Sequence, residues 1–216
     1  MKLDPDGAQL FPAAFTPAQI DALETILAAL PGRPGTRLEP LPGLEEAVQP
    51  ATAIAASIFG PDARPVRATL FDKSPARNWA LGWHQDRTIA VRARIDTPGF
   101  DGWTVKAGIH HAIPPFEILA RMLTLRIHID PVCPDNAPLL IVPGSHRLDR
   151  IAEREITAVA ARLGQASCPA DQGDIWAYAT PILHASARAR APTRRRVLQL
   201  LYSAEDLPGA LEWLGV

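Results

Sequence analysis

"MLTLRIHID", residues 122–130, alternates apolar and polar from Leu123 to Asp130. Leu123, Leu125, Ile127 and Ile129 fall on one side of an extended chain, and Thr124, Arg126, His128 and Asp130 on the other, because successive strand side chains point to opposite faces. Such a strand needs apolar packing on one face and a polar space on the other. Working outward, the same period predicts strands over 65–72, 88–94, 101–108, 137–146, 174–179, 182–189 and 195–204, with a helical insert near 148–163. Two helical regions come first. In residues 16–30, Thr16 caps, Pro17 suits the first turn and Gln19 completes a capping box, ahead of a stripe of Ile20, Leu23, Ile26, Leu27 and Leu30. In residues 43–60, Pro50 breaks or kinks the helix and Gly60 ends it. Helices followed by many short strands predict an α+β, mainly β chain, its body a sandwich or jelly-roll barrel, with the N-terminal helices packed on the larger sheet. There is no internal repeat and no linker. One domain over 1–216 is expected, with a helical cover at 1–62 and a barrel at 63–205.

Bulk properties narrow the function classes. The 216 residues are 47% apolar and 21% charged, with a formal net charge of −1. That balance gives no overall pull toward nucleic acid or an anionic membrane. No apolar run approaches the ~20 residues of a membrane span. Asp4 and Asp6 stand where a signal peptide would be apolar, which predicts a cytoplasmic protein. The two cysteines, Cys133 and Cys168, are expected as reduced thiols, with no activating base for either. The 22 prolines are spread along the chain and predict many turns.

The chemistry-bearing residues lie in two stretches. "GWHQDRTIAV", 82–91, places His84 and Asp86 two apart at the start of a strand, where side chains at that spacing share a face. That spacing suits either a metal or a hydrogen-bonded surface pair. "TPILHASARARAPTRRRVLQLLY" brings His184 one hundred residues after His84, Ser186 two after that, and Arg195 eleven after His184 on the next strand. Two histidines and one carboxylate can hold one face of an Fe(II) ion and leave the other open to a chelating 2-oxo acid and O2. Arg195 could grip the far carboxylate of 2-oxoglutarate through paired hydrogen bonds, with Ser186 assisting. Arg194 and Arg196 are then expected to be solvated. Arg126 and His128 are candidate substrate contacts. Lys73, Asn78 and Trp83, just ahead of the His-X-Asp pair, are candidates for co-substrate or substrate contact. His110 and His111 diverge and are expected to be exposed, His146 serves the "PGSH" turn, and Trp103, Trp176 and Trp213 are expected to pack.

The segments "FDKSPARNWALGWHQDRTIAV", "MLTLRIHID", "APLLIVPGSHR" and "GDIWAYATPILHASARARAPTRRRVLQLLY" together resemble the phytanoyl-CoA dioxygenase family of Fe(II)/2-oxoglutarate oxygenases, in order over about 70–203. The resemblance implies a double-stranded β-helix, the cupin-like jelly-roll barrel. It implies iron on His84, Asp86 and His184, and 2-oxoglutarate on Arg195 and Ser186. It also implies hydroxylation of a small organic molecule with release of succinate and CO2. Two departures stand out: Asn136-Ala137 where the family has Asn-Gly, and "ASARARAPTR" where it carries an Asn. Two other classes share the residues: a barrel that binds metal and a 2-oxo acid without turnover, and a cupin-like Zn or Mn hydrolase or isomerase.

Overall fold

The computed structural model describes residues 1–30 and 35–216. Its strands, numbered in chain order, form three antiparallel sheets. The largest runs β1 (Ala8–Phe11), β11 (Ile175–Ala179), β8 (Leu123–His128), β13 (Arg195–Ser203), β3 (Arg64–Lys73), β2 (Thr36–Leu38). The second runs β10 (Ala166–Cys168), β9 (Leu139–Ile141), β12 (His184–Ser186), β4 (Leu81–His84). A small outer sheet runs β5 (Ile89–Val91), β7 (Ile109–Ile113), β6 (Asp101–Lys106). The first two sheets make the jelly-roll barrel. At one end Leu139, Ile141 and Cys168 of the second sheet meet Ala8, Trp176 and Tyr178 of the first in a common apolar cluster.

The outer face of the large sheet is closed by the helices. Helix Pro17–Leu27 carries the expected capping box: Gln19 N donates to Thr16 Oγ1, and Thr16 N donates to Gln19 Oε1. The second region divides into Leu44–Ala47 and Gln49–Phe59, parting at Val48 ahead of Pro50, whose ring cannot continue a helix begun before it. Ile20, Leu23, Leu27, Leu44, Val48, Ala51 and Ala55 bury against Ala68, Leu70, Leu123, Leu125, Ile127, Leu198 and Leu200. Each fully buried aliphatic side chain there contributes about 1.5–3 kcal/mol. This holds the apolar face of "MLTLRIHID" outward and turns Thr124, Arg126 and His128 into the barrel, where all three are buried.

Several elements depart from the sequence expectation. The N-terminal region is more than a helical cover, since it adds β1 and β2 to the two edges of the large sheet. These strands, like β4, β7 and β10, are short and carry no clear period. They form because a neighbouring strand offers unpaired backbone groups. The 137–146 segment stops being a strand after Ile141 and tightens into a 3-10 turn at Ser145–Arg147. The insert becomes helical only at Glu153–Glu155 and Ile156–Leu163. Among the described residues, no helix is long and apolar enough to cross a membrane.

Candidate metal centre

His84 closes β4 and His184 opens β12, and the antiparallel ladder sets them directly opposite each other. Their ring centroids are 4.2 Å apart. The expected shared strand face for His84 and Asp86 is not what forms, because β4 ends at His84 and Asp86 lies on the irregular chain beyond. Gln85, which the sequence reading passed over, fixes that turn. It is buried, its Nε2 donates to Pro181 O at 2.9 Å and its Oε1 accepts from Ile151 N at 2.9 Å. The amide thus ties the His84–Asp86 segment to the residues leading into His184. One ligand atom from each of His84, Asp86 and His184 lies within 4.8 Å of the others.

The tautomers follow from the backbone. His84 Nδ1 is 2.8 Å from Gly82 O, and His184 Nδ1 is 3.0 Å from Ile182 O. A carbonyl only accepts, so each Nδ1 carries the proton and each Nε2 keeps a free lone pair. Burial, then the neighbouring His84, pushes His184 down to about 4, which keeps it neutral. Burial raises the Asp86 carboxyl, but His184, Arg67, His84 and Arg126 together outweigh it and leave the group below its ordinary value. Asp86 Oδ2 is buried with no partner.

The triad lines a cavity of about 220 Å3 together with Arg195, Ser186, Lys73, Arg126, Gln199, Thr69, Arg37 and Arg67. Arg195 faces inward opposite Lys73 and donates from Nη1 to Ala137 O. Burial and then Arg126 lower its guanidinium to about 9. Lys73 donates to Trp79 O (2.7 Å), Ser186 Oγ (2.9 Å) and Ala187 O (3.1 Å), and lies over the Trp79 ring. Burial, then Arg195 and Arg126, bring it down to about 7. Arg126 donates to Gln199 Oε1 at 2.6 Å and stacks on Phe71.

Other candidates fall elsewhere. His128 is buried inside the barrel but does not line the cavity, because it stands one pleat beyond Arg126, opposite Val197. Asn78 exchanges two hydrogen bonds with Ala189 and so clamps the loop between His184 and Arg195. Trp83 points away toward Val142, Ile151 and Ile156. Arg194 is exposed as expected, whereas Arg196 is half-buried and ion-paired to Asp130 and Glu24. His111 is buried rather than exposed, at the middle of the outer sheet. Trp176 and Trp213 are buried and Trp103 packs against the core, as expected. The cysteines are free, Cys133 exposed and Cys168 buried. Ala137 takes up φ +51°, so the left-handed turn forms without glycine. Arg67 and Thr69 were legible in the alternation of "PVRATLFD". Arg37 gave no signal, because β2 is too short to show a period.

A cupin-like jelly roll carrying a two-histidine, one-carboxylate triad defines a mononuclear metal-centre class of barrel. Residues 3–197 match the sequence model of the phytanoyl-CoA dioxygenase family, and the chain belongs to that family. Solved structures share its fold at low identity. A non-heme alpha-ketoglutarate-dependent carbocyclase from nogalamycin biosynthesis, SnoK, is 17% identical with a TM-score of 0.69, over 99% of this chain and 85% of that one. EctD from S. alaskensis with bound Fe is 18% identical with a TM-score of 0.68, over 99% and 78%. HygX from Streptomyces hygroscopicus, with nickel and 2-oxoglutarate bound, is 14% identical with a TM-score of 0.62, over 93% and 83%. No curated protein sequence matches the chain.

Proposed function

We propose that the protein is an Fe(II)- and 2-oxoglutarate-dependent dioxygenase that hydroxylates a small organic molecule. The observation that carries this is the His84–Asp86–His184 cluster sharing one cavity with an inward-facing, carboxylate-free guanidinium on Arg195. The donors fit the ion. Two bare Nε2 atoms and an orphaned carboxylate oxygen are the donor set that would hold non-haem iron. Iron held there would supply the activation of O2 coupled to decarboxylation of 2-oxoglutarate to succinate and CO2.

The chain's own groups do the positioning. The Gly82 and Ile182 carbonyls hold both rings in the ligating tautomer, and Gln85 holds the two ligand segments in register. Arg195 anchors the distal carboxylate of the co-substrate by a two-bond fork, and Lys73 fixes the Ser186 hydroxyl beside it. The large-sheet wall of Thr69, Phe71, Arg126 and Gln199 bounds the substrate and keeps bulk water from the reacting carbon.

Succinate release from 2-oxoglutarate with Fe(II) and ascorbate tests the reading. It should be lost in His84→Ala and His184→Ala. Absence of any succinate with the wild type, despite metal and 2-oxoglutarate binding, would point instead to a sensing barrel. Metal-dependent hydrolysis or isomerisation untouched by Arg195→Ala would point to the Zn or Mn class.

A further inference from the structure

The cavity holds more positive charge than a metal ion and 2-oxoglutarate use. Arg37, Arg67, Lys73, Arg126 and Arg195 line it, against the single carboxylate of Asp86. Among the described residues, none of the five forms an ion pair with a carboxylate, although eleven other arginines of the chain do. A divalent metal with Asp86 and a dianionic co-substrate sums to about one negative charge. Arg195 balances it. Arg126 is engaged with Gln199 and Phe71, and Lys73 with Ser186 and two carbonyls. Arg37 and Arg67 remain.

These two stand together at the other end of the large-sheet wall. Arg37 on β2 is directly opposite Thr69 on β3, and Arg67 is two residues before Thr69 on the same face. The backbones of Arg67 and Lys73 are six positions apart on β3, about 20 Å along the strand, so the two cations enter the cavity from different ends of the wall. Arg67 Nη1 donates to Thr88 O at 3.2 Å, while its Nε and the Thr69 hydroxyl are buried with no partner. Two guanidiniums and a hydroxyl with spare donors, facing one cavity and without a carboxylate ion-pair partner among the described residues, fit an oxyanion.

We infer that Arg37, Arg67 and Thr69 form a second anion subsite, and that the substrate is a small organic acid whose carboxylate or phosphate is held there. The inference rests on the oxygenase reading for the word substrate; the subsite itself stands on the side chains. Binding at this end leaves the rest of the molecule in the cavity that the triad also lines. A neutral analogue would leave two half-buried cations unpaired, so the subsite also selects against esters and amides.

The test uses the full chain loaded with redox-inert Zn(II) and saturating 2-oxoglutarate, titrated with sodium sulfate and, separately, sodium acetate at constant ionic strength. Calorimetry follows binding. At least one of the two anions should bind the wild type, and Arg37→Gln and Arg67→Gln should each weaken it tenfold or more. Arg67→Lys should recover part of the loss. In both Gln variants the 2-oxoglutarate affinity should change less than about twofold, whereas Arg195→Gln should weaken 2-oxoglutarate and leave the added anion alone. Preference for acetate over sulfate assigns a carboxylate, and the reverse assigns a phosphate. No binding of either anion, or binding unchanged in both Gln variants, overturns the subsite. A 2-oxoglutarate loss in those variants as large as in Arg195→Gln also overturns it, because the pair then serves the co-substrate. If the wild type fails to bind 2-oxoglutarate at all, the oxygenase reading fails while the anion titrations still decide the subsite.

Discussion

Arg195→Met separates a co-substrate anchor from a structural strut. The guanidinium is 3% exposed, gives one bond to Ala137 O, and keeps its Nε without a partner. A carboxylate arriving there gains two charge-assisted hydrogen bonds. Each is worth about 1.5–3 kcal/mol, and a fork about 3–5 kcal/mol after allowance for imperfect geometry. At about 1.4 kcal/mol per decade, the Kd for 2-oxoglutarate should rise roughly 100- to 3000-fold. The effect on the empty protein should be small. The variant frees the Ala137 carbonyl, at about 1 kcal/mol, but removes a desolvated charge that faces Arg126 and depresses Lys73. These oppose each other, so the apoprotein Tm should move by no more than about 4 °C. Anaerobic calorimetry of 2-oxoglutarate into the Fe(II)-loaded protein, with apoprotein melting alongside, measures both. A Kd shift below tenfold, or an apoprotein that melts far lower, would refute the reasoning and make Arg195 a strut for the 137 loop.

Gln85→Leu should lower stability by about 2–4 kcal/mol, since it strands the buried Pro181 carbonyl and Ile151 amide. It should also weaken metal binding about 10- to 100-fold, read by competition with a chelating dye; full metal affinity in a folded variant sinks the positioning role. Ala137→Gly should raise stability by about 1 kcal/mol in urea melts, because φ +51° is strained for alanine and free for glycine. His128 gives a pH prediction. Burial, then Arg126 and Arg195, lower it to about 3, so the folded state keeps it neutral while the unfolded chain protonates it near 6.5. Its folded pKa is depressed, so stability is lost as pH falls from about 6.5 toward 3. Urea melts from pH 7 to 4 should therefore show a shallower acid loss in His128→Leu than in the wild type, and equal slopes would count against it.

How far the sequence could be read varies by element. The strand at 122–130, the capped helix from Thr16 and the break at Pro50 were legible because each is written in local terms: period, cap and a missing N–H. The inward turn of Arg195 and outward turn of Arg196 also follow from strand alternation. His128 was misplaced because alternation says which face a side chain takes, but not how far along the barrel the cavity extends. Trp83 was misplaced because it precedes His84 on β4 and so takes the opposite face. Arg37 and Gln85 were missed because their roles depend on what lies opposite: Thr69 across a ladder for one, Pro181 and Ile151 for the other.

By itself, the chain's order of residues determined the strand faces, the helix ends and the set of groups able to bind a metal. Tertiary structure decided which of those groups meet. His84 and His184 are a hundred residues apart, and only closing the barrel sets them opposite each other. It also decided that five basic side chains share one cavity with one carboxylate. Charge balance within a cavity is a property of the enclosed volume, and a volume is enclosed only when distant strands pair.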